Sequence, residues 1–483
     1  MSDFRSLWNG RLKRVVQHGI SARTFAAFNT NVDVIVHLDD SVVGQLLADA
    51  DISLERVRSR SADTMERISN QEDFFTVLRD RLIAGKSFHI TVENLELLDW
   101  LDKHFQNEKE SMGGQAGIIA NQMAELGAPA MVYTPVNSSK QARLFHPAVQ
   151  FPVVTPEGEL AIVPAARAGR SDTATKINWI LEYGKGLTFH FGDETIVTPR
   201  ANRIILATRP KEAVMGFPLA LRPYLTELAK RMDVAFMAGY HYAGYTLPDG
   251  RSFAEYMADS VADLRALRAG NPELRIHLEY VPMQQAELER EMLSRIVREI
   301  SSFGINENEI RRVLREFGFE EQARNIEQAE SAYTLYQGAL ALVNELGLER
   351  IQVHNLGYYV LVLRKPYPLP PDEVRDACLY ASCVNALKAR DGGYVKGERL
   401  PEAAEIPLSD IGFNNLEMLA QDLRLTGKAT ERFLQEGFLE QEDHILVVVP
   451  AHVVPNPVST VGMGDTISSS SYARELQPLV VNR

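Results

Sequence analysis

The stretch HILVVVPAHVVPNPVSTVGMGDTISSSSYARELQ, residues 444–477, contains a strand pattern, two closely spaced glycines and a helix pattern. The β-branched run at its start predicts a buried strand. Gly462, Gly464 and Asp465 follow, and a helix is predicted to open around Thr466. Glycines just before a helix let the backbone approach a ligand closely, and the free N–H groups of the first turn then point at an anion. The segment therefore predicts a strand–turn–helix unit that can bind an anionic group.

The rest of the chain alternates short β-branched runs with longer helical patterns. TFAAFNTNVDVIVHL (24–38) predicts a strand that continues past a turn, and LRIHLEYVP (274–282) predicts another strand. Segments such as SFAEYMADSVADLRALRAG (252–270) predict the helices between such runs. This alternation is typical of an α/β core with a central, mostly parallel sheet flanked by helices. From about 150 to 205 several strand patterns follow at short spacing, which indicates a smaller β-rich lid on that core.

Composition excludes several classes of protein. The 483 residues are 45% hydrophobic and 24% charged, as in ordinary globular proteins, so a largely disordered chain is excluded. The 51 basic and 64 acidic residues give a formal net charge of −13. This acidity argues against nucleic acid or an anionic membrane as the main partner.

Cellular location is predicted from three further features. The N-terminal stretch lacks the apolar region of a signal peptide, and no run approaches the ~18 apolar residues of a membrane span. Cys378 and Cys383 lack metal-binding spacing, and we expect them to be buried, reduced thiols. A cytoplasmic protein is therefore expected.

Asp465 gives the predicted anion site a possible chemical role. A carboxylate there can orient a hydroxyl and accept its proton while a phosphoryl group moves, a reaction that depends mainly on positioning and charge stabilisation. The four residues Gly462–Asp465 can also be explained as a simple helix start with Asp465 as the capping residue.

The longer string NPVSTVGMGDTISS (456–469) resembles the signature of the archaeal ADP-dependent sugar kinases, the phosphofructokinase and glucokinase branch of the ribokinase-like superfamily. Similar segments follow in the same order along nearly the whole chain. The resemblance implies a ribokinase-like core, a lid that closes over the sugar, and Mg-ADP as donor with AMP as product. It also implies the following roles: Asp465 as catalytic base, the backbone of Gly462, Met463 and Gly464 as anion hole, and Asn456, Val458 and Thr460 in nucleotide binding.

Two N-terminal segments are similar to sugar-binding motifs of this family. NTNVD (29–33) follows a predicted strand, and GGQ (113–115) opens a predicted helix. The first could be an Asx-rich turn and the second mere turn punctuation. The resemblance implies instead that the sugar is contacted by Asn31, Asp33, the Gly114 backbone and the Gln115 side chain.

Lys176, Asn178 and Arg203 lie in the predicted lid, where single basic residues are usually solvated. The phosphofructokinase branch places a lysine and an arginine at two of these positions to hold the 6-phosphate of fructose 6-phosphate. The glucokinase branch tends to carry histidine in place of Asn178. An ammonium and a guanidinium both donate charge-assisted hydrogen bonds to phosphate, so the resemblance favours a phosphorylated sugar.

His89, in GKSFHI (85–90), aligns with a glutamate in the family's G-K-x-x-E pattern, which accepts a hydrogen bond from a glucose hydroxyl. A neutral imidazole offers only one lone pair, so glucose is expected to be a poor substrate. The alignment could also slip by one residue, or His89 could simply pack at the lid hinge.

Two acidic elements are similar to metal-related motifs of the family. His277 and Glu279 are two residues apart on a predicted strand and therefore point to the same side. Asn306 and Glu309 could form a helix capping box. The resemblance implies that Glu279 and Glu309 bear on Mg²⁺, largely through water. His354 is predicted to be a core or strand-end residue.

These expectations define an architecture and an activity. Residues 1–28, 42–84, 113–169 and 206–483 are predicted to form the large nucleotide-binding core, and residues 29–41, 85–112 and 170–205 the lid. The expected glycolytic reaction moves the β-phosphoryl of Mg-ADP to the 1-hydroxyl of fructose 6-phosphate, giving fructose 1,6-bisphosphate and AMP. Three alternatives stay open: an ADP-dependent glucokinase or an enzyme that uses both sugars, an ATP-dependent sugar kinase, and a non-catalytic sensor of sugar phosphates or nucleotides.

Overall fold

A computed structural model of the chain describes residues 4–106 and 108–481. Within these residues the strands are β1 (Thr24–Phe28), β2 (Asn31–His37), β3 (Arg67–Ile68), β4 (Phe88–Val92), β5 (Lys109–Gly113), β6 (Ala130–Tyr133), β7 (Gln150–Val154), β8 (Leu160–Pro164), β9 (Ile177–Tyr183), β10 (Thr188–Phe191), β11 (Glu194–Val197), β12 (Asn202–Thr208), β13 (Val234–Ala238), β14 (Arg275–Glu279), β15 (Ser302–Asn306), β16 (Arg350–Asn355), β17 (Tyr358–Arg364), β18 (Phe438–Glu440) and β19 (His444–Pro450).

The helices of the same residues are α1 (Phe4–Val15), α2 (Asp40–Ala48), α3 (Leu54–Ser59), α4 (Gln71–Ala84), α5 (Leu95–Phe105), α6 (Gln115–Glu125), α7 (Ser139–Ala142), α8 (Leu225–Ala229), α9 (Phe253–Gly270), α10 (Ala286–Ile296), α11 (Glu307–Glu316), α12 (Glu320–Gln328), α13 (Ala332–Leu346), α14 (Pro371–Asp391), α15 (Leu400–Ala403), α16 (Asp410–Asp422), α17 (Lys428–Glu436), α18 (Met463–Glu475) and α19 (Gln477–Val481). Local sequence sets many of their ends. In α9, for example, Ser252 and Glu255 form a capping box.

The large sheet has 11 strands in the order β18-β19-β17-β16-β15-β14-β13-β1-β6-β7-β8. All neighbouring pairs from β16 to β7 are parallel, whereas β17, β19 and β18 at one edge and β8 at the other pair antiparallel. Strands β1, β13 and β19 are buried at every residue, as expected for strands covered on both faces. The predicted α/β class with a mostly parallel central sheet is confirmed.

A smaller sheet of six strands, in the order β3-β4-β12-β9-β2-β5, forms a second unit with its own apolar core. Its strands alternate in character, so that one face is apolar and the other largely polar. In β2, for example, Val32, Val34 and Val36 are buried in the apolar core, and Asn31 and Asp33 point the other way. The predicted smaller β-rich unit is therefore present.

Two boundaries of the sequence prediction differ from the structure. The segment 42–84 was assigned to the large core, but α2, α3 and α4 cover the apolar face of the smaller sheet, with Val43, Val57 and Phe74 in its core. An apolar sheet face must be covered, and these helices are next to it in the chain. The β-rich region also starts later than 150, because β7 and β8 pair at the edge of the large sheet.

The segment 24–38 does not form one continued strand. Its first half is β1 in the middle of the large sheet, and its second half is β2 in the smaller sheet. Asn29 and Thr30 therefore connect the two units. Among the described residues, none of the helices has the length and apolar character needed to span a bilayer. Cys378 and Cys383 are free and buried, as predicted.

A buried ion pair fixes α18 to the large sheet. Arg350 begins β16 and Glu475 ends α18; both side chains are fully buried, and Arg350 Nε lies 3.0 Å from Glu475 Oε2. Arg350 also donates to Gln352 Oε1 at 2.7 Å, and the Tyr367 hydroxyl donates to Glu475. Each buried charge depends on its partner, because neither can be hydrated.

Replacing Arg350 by alanine is expected to lower the free energy of unfolding by about 3–5 kcal/mol, because Glu475 would be left buried without its counter-charge. The control is Arg170→Ala, which removes an ion pair with Asp172 whose side chains are 70% exposed on both sides. Its cost should be no more than ~1 kcal/mol. Urea denaturation of both variants measures the difference, and equal losses would contradict the role given to the buried pair.

Candidate functional site

The N-terminus of α18 has a backbone geometry that favours binding of an anion. The helix begins at Met463, and Gly462 before it adopts a left-handed conformation with φ 66°. The N–H groups of the first turn have no intrahelical partner, as in any α-helix. Among the described residues no side chain caps this end either. A Cβ at Gly462 would lie 2.6 Å from Ile118 Cδ1 of α6, so only glycine fits here. Asp465 is the third helical residue and not the cap, which excludes the simple capping explanation.

Acidic neighbours change the proton affinity of Asp465. Burial and the negative charge of Glu279 raise the pKa of Asp465 to about 8, against the opposing effect of Lys388. The charge of Asp33, on the smaller sheet, contributes in the same direction as Glu279. The polar face of the smaller sheet is therefore close enough to the start of α18 to act electrostatically on Asp465.

Glu279 and Glu309 lie at the carboxyl ends of β14 and β15, where ligands of parallel sheets bind. His277 Nε2 is 3.0 Å from Glu279 Oε2. Burial alone would raise the pKa of Glu279, but His277 and the nearby His354 hold it below its ordinary value. Glu309 forms the capping box with Asn306, whose N–H donates to Glu309 Oε2 at 2.8 Å. Burial and the charges of Glu279 and Asp465 raise the pKa of Glu309 to about 8.

This donor set fits magnesium held mainly through water. Glu279, Glu309 and Asp465 supply hard oxygen donors whose mutual repulsion a cation would relieve. Within residues 4–106 and 108–481, no group of three or more His, Cys, Asp or Glu side chains is close enough to enclose an ion directly. Mg²⁺ keeps several bound waters and is usually held by one or two carboxylates together with substrate phosphates. A Mg²⁺ site therefore does not need three protein ligands in direct contact with the ion.

Two glycines make room for Glu279. A Cβ at Gly304 of β15 would lie 2.7 Å from Glu279 Oε2 and 2.7 Å from His277 Nε2. A Cβ at Gly464 would lie 2.9 Å from His354 Nε2 and 3.7 Å from Glu279 Oε1. Glu279 therefore has one carboxylate oxygen on His277 and the other directed toward the first turn of α18.

The predicted sugar-binding side chains share one face of the smaller sheet. Asp33 pairs with Asn178 across β2 and β9, and His89 pairs with Ile205 across β4 and β12. Paired residues, and residues two apart on a strand, lie on the same face. The register thus places these five residues on the polar face: Asn31, Asp33, His89, Asn178 and Arg203.

Asp33 is the centre of this face. Asn31 Nδ2 donates to Asp33 Oδ1 at 2.5 Å, and Asn178 Nδ2 donates to the same oxygen at 3.1 Å. Burial raises the pKa of Asp33 to about 6, although the two amides, Lys176 and Arg203 act to lower it. Asn31 and Asp33 are in a strand and so do not form the Asx turn considered from the sequence.

Gly114 and Gln115 connect this face to α6. Gly114 has φ 73°, and a Cβ there would lie 2.6 Å from the Asn29 carbonyl oxygen. Gln115 is buried; its Oε1 accepts from Asn29, and its Nε2 has no partner among the residues that the structure describes. A buried amide N–H without a partner is costly, so this group is suited to donate to a ligand.

Lys176 is fully buried and donates to Asn29 Oδ1. Its Nζ lies 3.9 Å from the centre of the Tyr242 ring, and Arg209 lies over the same ring at 4.5 Å. A cavity of about 240 Å³ opens here, with Lys176, Arg209, Lys211 and Tyr242 in its wall. Burial lowers the pKa of Lys176. The structure therefore adds Arg209 to the basic residues predicted from the sequence.

His89 lies within this basic environment. Its ring is exposed on the polar face, and partial burial together with Arg209 and Lys176 lowers the pKa of His89 to about 4. The imidazole is therefore neutral near pH 7. His89 lies within strand β4 and therefore does not pack at a lid hinge. Its direct contact with a substrate stays a prediction.

Two further residues of the site were missed from the sequence. His354, predicted to be a core or strand-end residue, lies near the end of β16 beside Gly464, and its buried Nδ1 has no partner. Lys388 of α14 is buried, donates from Nζ to the Gly393 carbonyl at 3.0 Å, and acts electrostatically on Asp465. Burial lowers the pKa of Lys388 to about 8. The position of His354 near the end of a strand was a usable signal, whereas Lys388 in a long helix gave none.

The predicted nucleotide-binding residues lie in the segment between β19 and α18. Asn456, Val458 and Thr460 are exposed there, and the Val458 N–H donates to the Ala389 carbonyl at 2.8 Å. No contact in the described residues places these side chains beside Asp465. Their role in nucleotide binding stays a prediction.

Comparisons with a family profile and with known proteins agree on one family. The profile described as "ADP-specific Phosphofructokinase/Glucokinase conserved region" matches residues 22–474. The chain is 32% identical over 465 residues to the ADP-specific phosphofructokinase of Methanosarcina acetivorans, which covers 94% of this chain and 92% of that protein.

Two solved structures are similar over nearly the whole fold. One is the last common ancestor of ADP-dependent phosphofructokinases from Methanosarcinales, with a TM-score of 0.86 and 31% identity over 99% of this chain and 98% of that one. The other is an ADP-dependent kinase in complex with fructose-6-phosphate and ADPbetaS, with a TM-score of 0.81 and 30% identity over 99% of this chain and 98% of that one.

The space around Glu279 gives a direct test of the site geometry. Gly304→Ala is expected to lower the free energy of unfolding by about 1–3 kcal/mol, because the new methyl group would overlap His277 and Glu279 in a closed environment. The matched control is Gly44→Ala in α2, where a Cβ meets nothing within 4 Å. That change should stabilise the protein by up to ~1 kcal/mol. Chemical denaturation measures both, and a neutral Gly304→Ala would show that the strand-end site is not tightly packed.

Proposed function

Because the chain belongs to the ADP-specific phosphofructokinase/glucokinase family, we propose that it transfers the β-phosphoryl of ADP to the 1-hydroxyl of fructose 6-phosphate, giving fructose 1,6-bisphosphate and AMP. The observation that carries this proposal is the position of Asp465. It lies in the uncapped first turn of α18 and within electrostatic range of Asp33 on the polar face. An anionic donor group and a sugar hydroxyl can therefore meet at one carboxylate.

In this proposal Asp465 accepts the proton of the sugar hydroxyl. A pKa raised to about 8 makes the ionised carboxylate a stronger proton acceptor than that of an ordinary aspartate. The backbone N–H groups of Gly462, Met463 and Gly464 stabilise the negative charge of the moving phosphoryl group. Asn31, Asp33, Gly114 and Gln115 hold the sugar so that its hydroxyl faces Asp465.

Basic side chains at the smaller sheet select the phosphorylated sugar. Arg203 on the polar face and Lys176 beside it carry the charges that we propose hold the 6-phosphate, together with Asn178. Arg209 supports the same assignment, because it packs on the Tyr242 ring that Lys176 also contacts. Lys176 and Arg209 line the cavity of about 240 Å³, and a phosphate there would receive charge-assisted hydrogen bonds that glucose cannot use.

Glu279 and Glu309 are the residues that we propose hold Mg²⁺, mostly through bound water. When present, the ion neutralises the negative charge on the phosphate oxygens of the donor. The exposed apolar side chains of Leu356 and Ile411 flank the loops that precede α18, and we propose them together with Val458 as the surface for the adenine ring.

The smaller unit would then act as a lid on the larger unit. The large sheet with its helices binds the nucleotide, and the smaller unit, including 42–84, closes over the sugar and excludes water from the phosphoryl group. Since both substrates are metabolites of the cytoplasm, the predicted cytoplasmic location is part of this proposal.

A single coupled assay tests the reaction by crossing ADP and ATP with fructose 6-phosphate and glucose. Transfer from ADP to fructose 6-phosphate, with AMP as product, is the expected result. Activity with ATP alone would identify an ATP-dependent sugar kinase, and strong activity on glucose an enzyme that uses both sugars. Substrate binding without any transfer would identify a sensor.

Asp465→Ala is expected to lower kcat by at least about 100-fold, the low end for removing a positioned proton acceptor. ADP binding should be nearly unchanged, because the backbone N–H groups remain. Steady-state kinetics and calorimetric ADP titration measure the two quantities. Turnover within a few-fold of the unchanged protein would remove Asp465 from the role of base.

Arg203→Ala and Lys176→Met are each expected to lower kcat/KM for fructose 6-phosphate by about 10- to 150-fold, mainly through KM, since each removes a charged hydrogen bond. Methionine is chosen at position 176 because the lysine side chain is buried. Lys185→Ala, at an exposed position of the same unit, is the control. Any weak activity on glucose should change much less; equal losses for both sugars would refute the phosphate assignment.

His89→Glu is expected to raise kcat/KM for glucose by about tenfold, the value of one good hydrogen bond to a charged acceptor. The effect on fructose 6-phosphate should be smaller. Kinetics with both sugars measure the change. Robust phosphorylation of glucose by the unchanged protein would contradict the role of His89 in sugar selection.

A further inference from the structure

A continuous chain of buried hydrogen bonds runs from Glu279 to the far end of α18. His277 Nε2 lies 3.0 Å from Glu279 Oε2, and His277 Nδ1 lies 2.9 Å from Ser302 Oγ. Arg350 Nη1 donates to the same Ser302 Oγ at 2.9 Å, and Arg350 Nε is paired with Glu475. His277, Ser302, Arg350 and Glu475 are almost completely buried, so water does not compete for these groups.

The direction of each hydrogen bond follows from the chemistry of the groups. A guanidinium can only donate, so Ser302 Oγ is the acceptor toward Arg350. The Ser302 hydroxyl hydrogen must then find another acceptor, and in the part of the chain that is described His277 Nδ1 is the one within reach. His277 Nδ1 therefore carries no hydrogen. The ring hydrogen is on Nε2, where it is donated to the Glu279 carboxylate.

Neighbouring residues pack closely around the His277 ring. The ring contacts Phe236 and Tyr472, with ring centres at 5.6 and 5.8 Å. Gly304 supplies the space that the His277–Glu279 pair occupies. With Nε2 on one carboxylate oxygen, the other oxygen of Glu279 is directed toward Gly464 in the first turn of α18.

We propose that Ser302 is a positioning residue: its hydroxyl, oriented by Arg350, fixes His277 in the Nε2–H tautomer, and this tautomer holds the Glu279 carboxylate directed at the start of α18. The opposite tautomer would place the Nε2 lone pair against a carboxylate and leave the Ser302 hydroxyl without an acceptor. The part of this inference that concerns catalysis rests on the proposed function; the tautomer and the carboxylate position do not.

The first test is the tautomer of His277 in the full chain labelled with ¹⁵N-histidine. The ¹⁵N shifts and long-range couplings of a neutral imidazole distinguish Nε2–H from Nδ1–H, and His277→Gln assigns the signal among the 11 histidines. The Nε2–H form is expected in the unchanged protein. Observation of the Nδ1–H form would overturn the proposal.

The second test compares Ser302→Ala with two matched variants. Ser301→Ala removes the neighbouring buried hydroxyl, which faces Arg268 and not His277, and Ser302→Thr keeps the hydroxyl at the same position. Ser302→Ala should change the His277 signal and weaken binding of Mn²⁺, used as the probe ion, by about tenfold, the low end for loss of an outer partner. Ser301→Ala should leave both readouts unchanged, and Ser302→Thr should restore them.

The outcomes separate this inference from the proposed function. An unchanged His277 signal and Mn²⁺ affinity in Ser302→Ala would refute the positioning role, even if the protein phosphorylates fructose 6-phosphate. The expected tautomer and the expected Mn²⁺ effect would support it, even if no transfer from ADP were found. In an active enzyme, Ser302→Ala should lower kcat by about tenfold with little change in KM for the sugar, because Ser302 belongs to the large sheet and acts through His277 and Glu279.

Discussion

The burial of one polar helix is the constraint on which the rest of the structure depends. All residues of α18 from Thr466 to Ala473 are buried, and four of them are the serines 468–471. Their small side chains let α14 and the sheet approach closely, whereas larger residues would push them away. The charges at the two ends of α18 must then be matched within the protein. Arg350 compensates Glu475 at one end, and at the other end the uncapped first turn contains Asp465 and forms part of the candidate site.

The second constraint is the crossing between the two sheets at Asn29 and Thr30. This short connection takes the chain from the large sheet into the smaller one, and Asp33 of β2 then acts electrostatically on Asp465 of α18. Several groups on both sides of the crossing meet there: Asn29 accepts from Lys176 and donates to Gln115. The apolar face of the smaller sheet, in turn, needs α2 to α5 as cover. A unit that presents polar groups on one side therefore has to carry its own core on the other.

Sequence reasoning was successful where the signal is local. The α/β class follows from alternating strand and helix patterns, and the segment around Asp465 is a strand–turn–helix unit in the structure as predicted. It failed where the outcome depends on pairing between distant segments. The helices of 42–84 looked like ordinary core helices, because amphipathic patterns do not show which sheet they cover. Arg209 and Lys388 were missed for the same reason. Arg209 directly follows β12 and Lys388 lies in the long helix α14, and the local sequence of neither shows that its side chain reaches the site.

The distribution of charge in the site follows from these two constraints together. Glu279 at the end of β14 and Glu309 and Asp465 in the first turns of α11 and α18 lie near one another, and repulsion and burial raise the pKa of two of these carboxylates to about 8. Basic groups are concentrated instead near the smaller sheet, where burial lowers the pKa of Lys176. Each group of like charges is unfavourable without a counter-charge. The acidic side is thus complementary to a cation-bound nucleotide phosphate and the basic side to a sugar phosphate. Since the two sides belong to different sheets, both ligands must be present before all the charges are compensated.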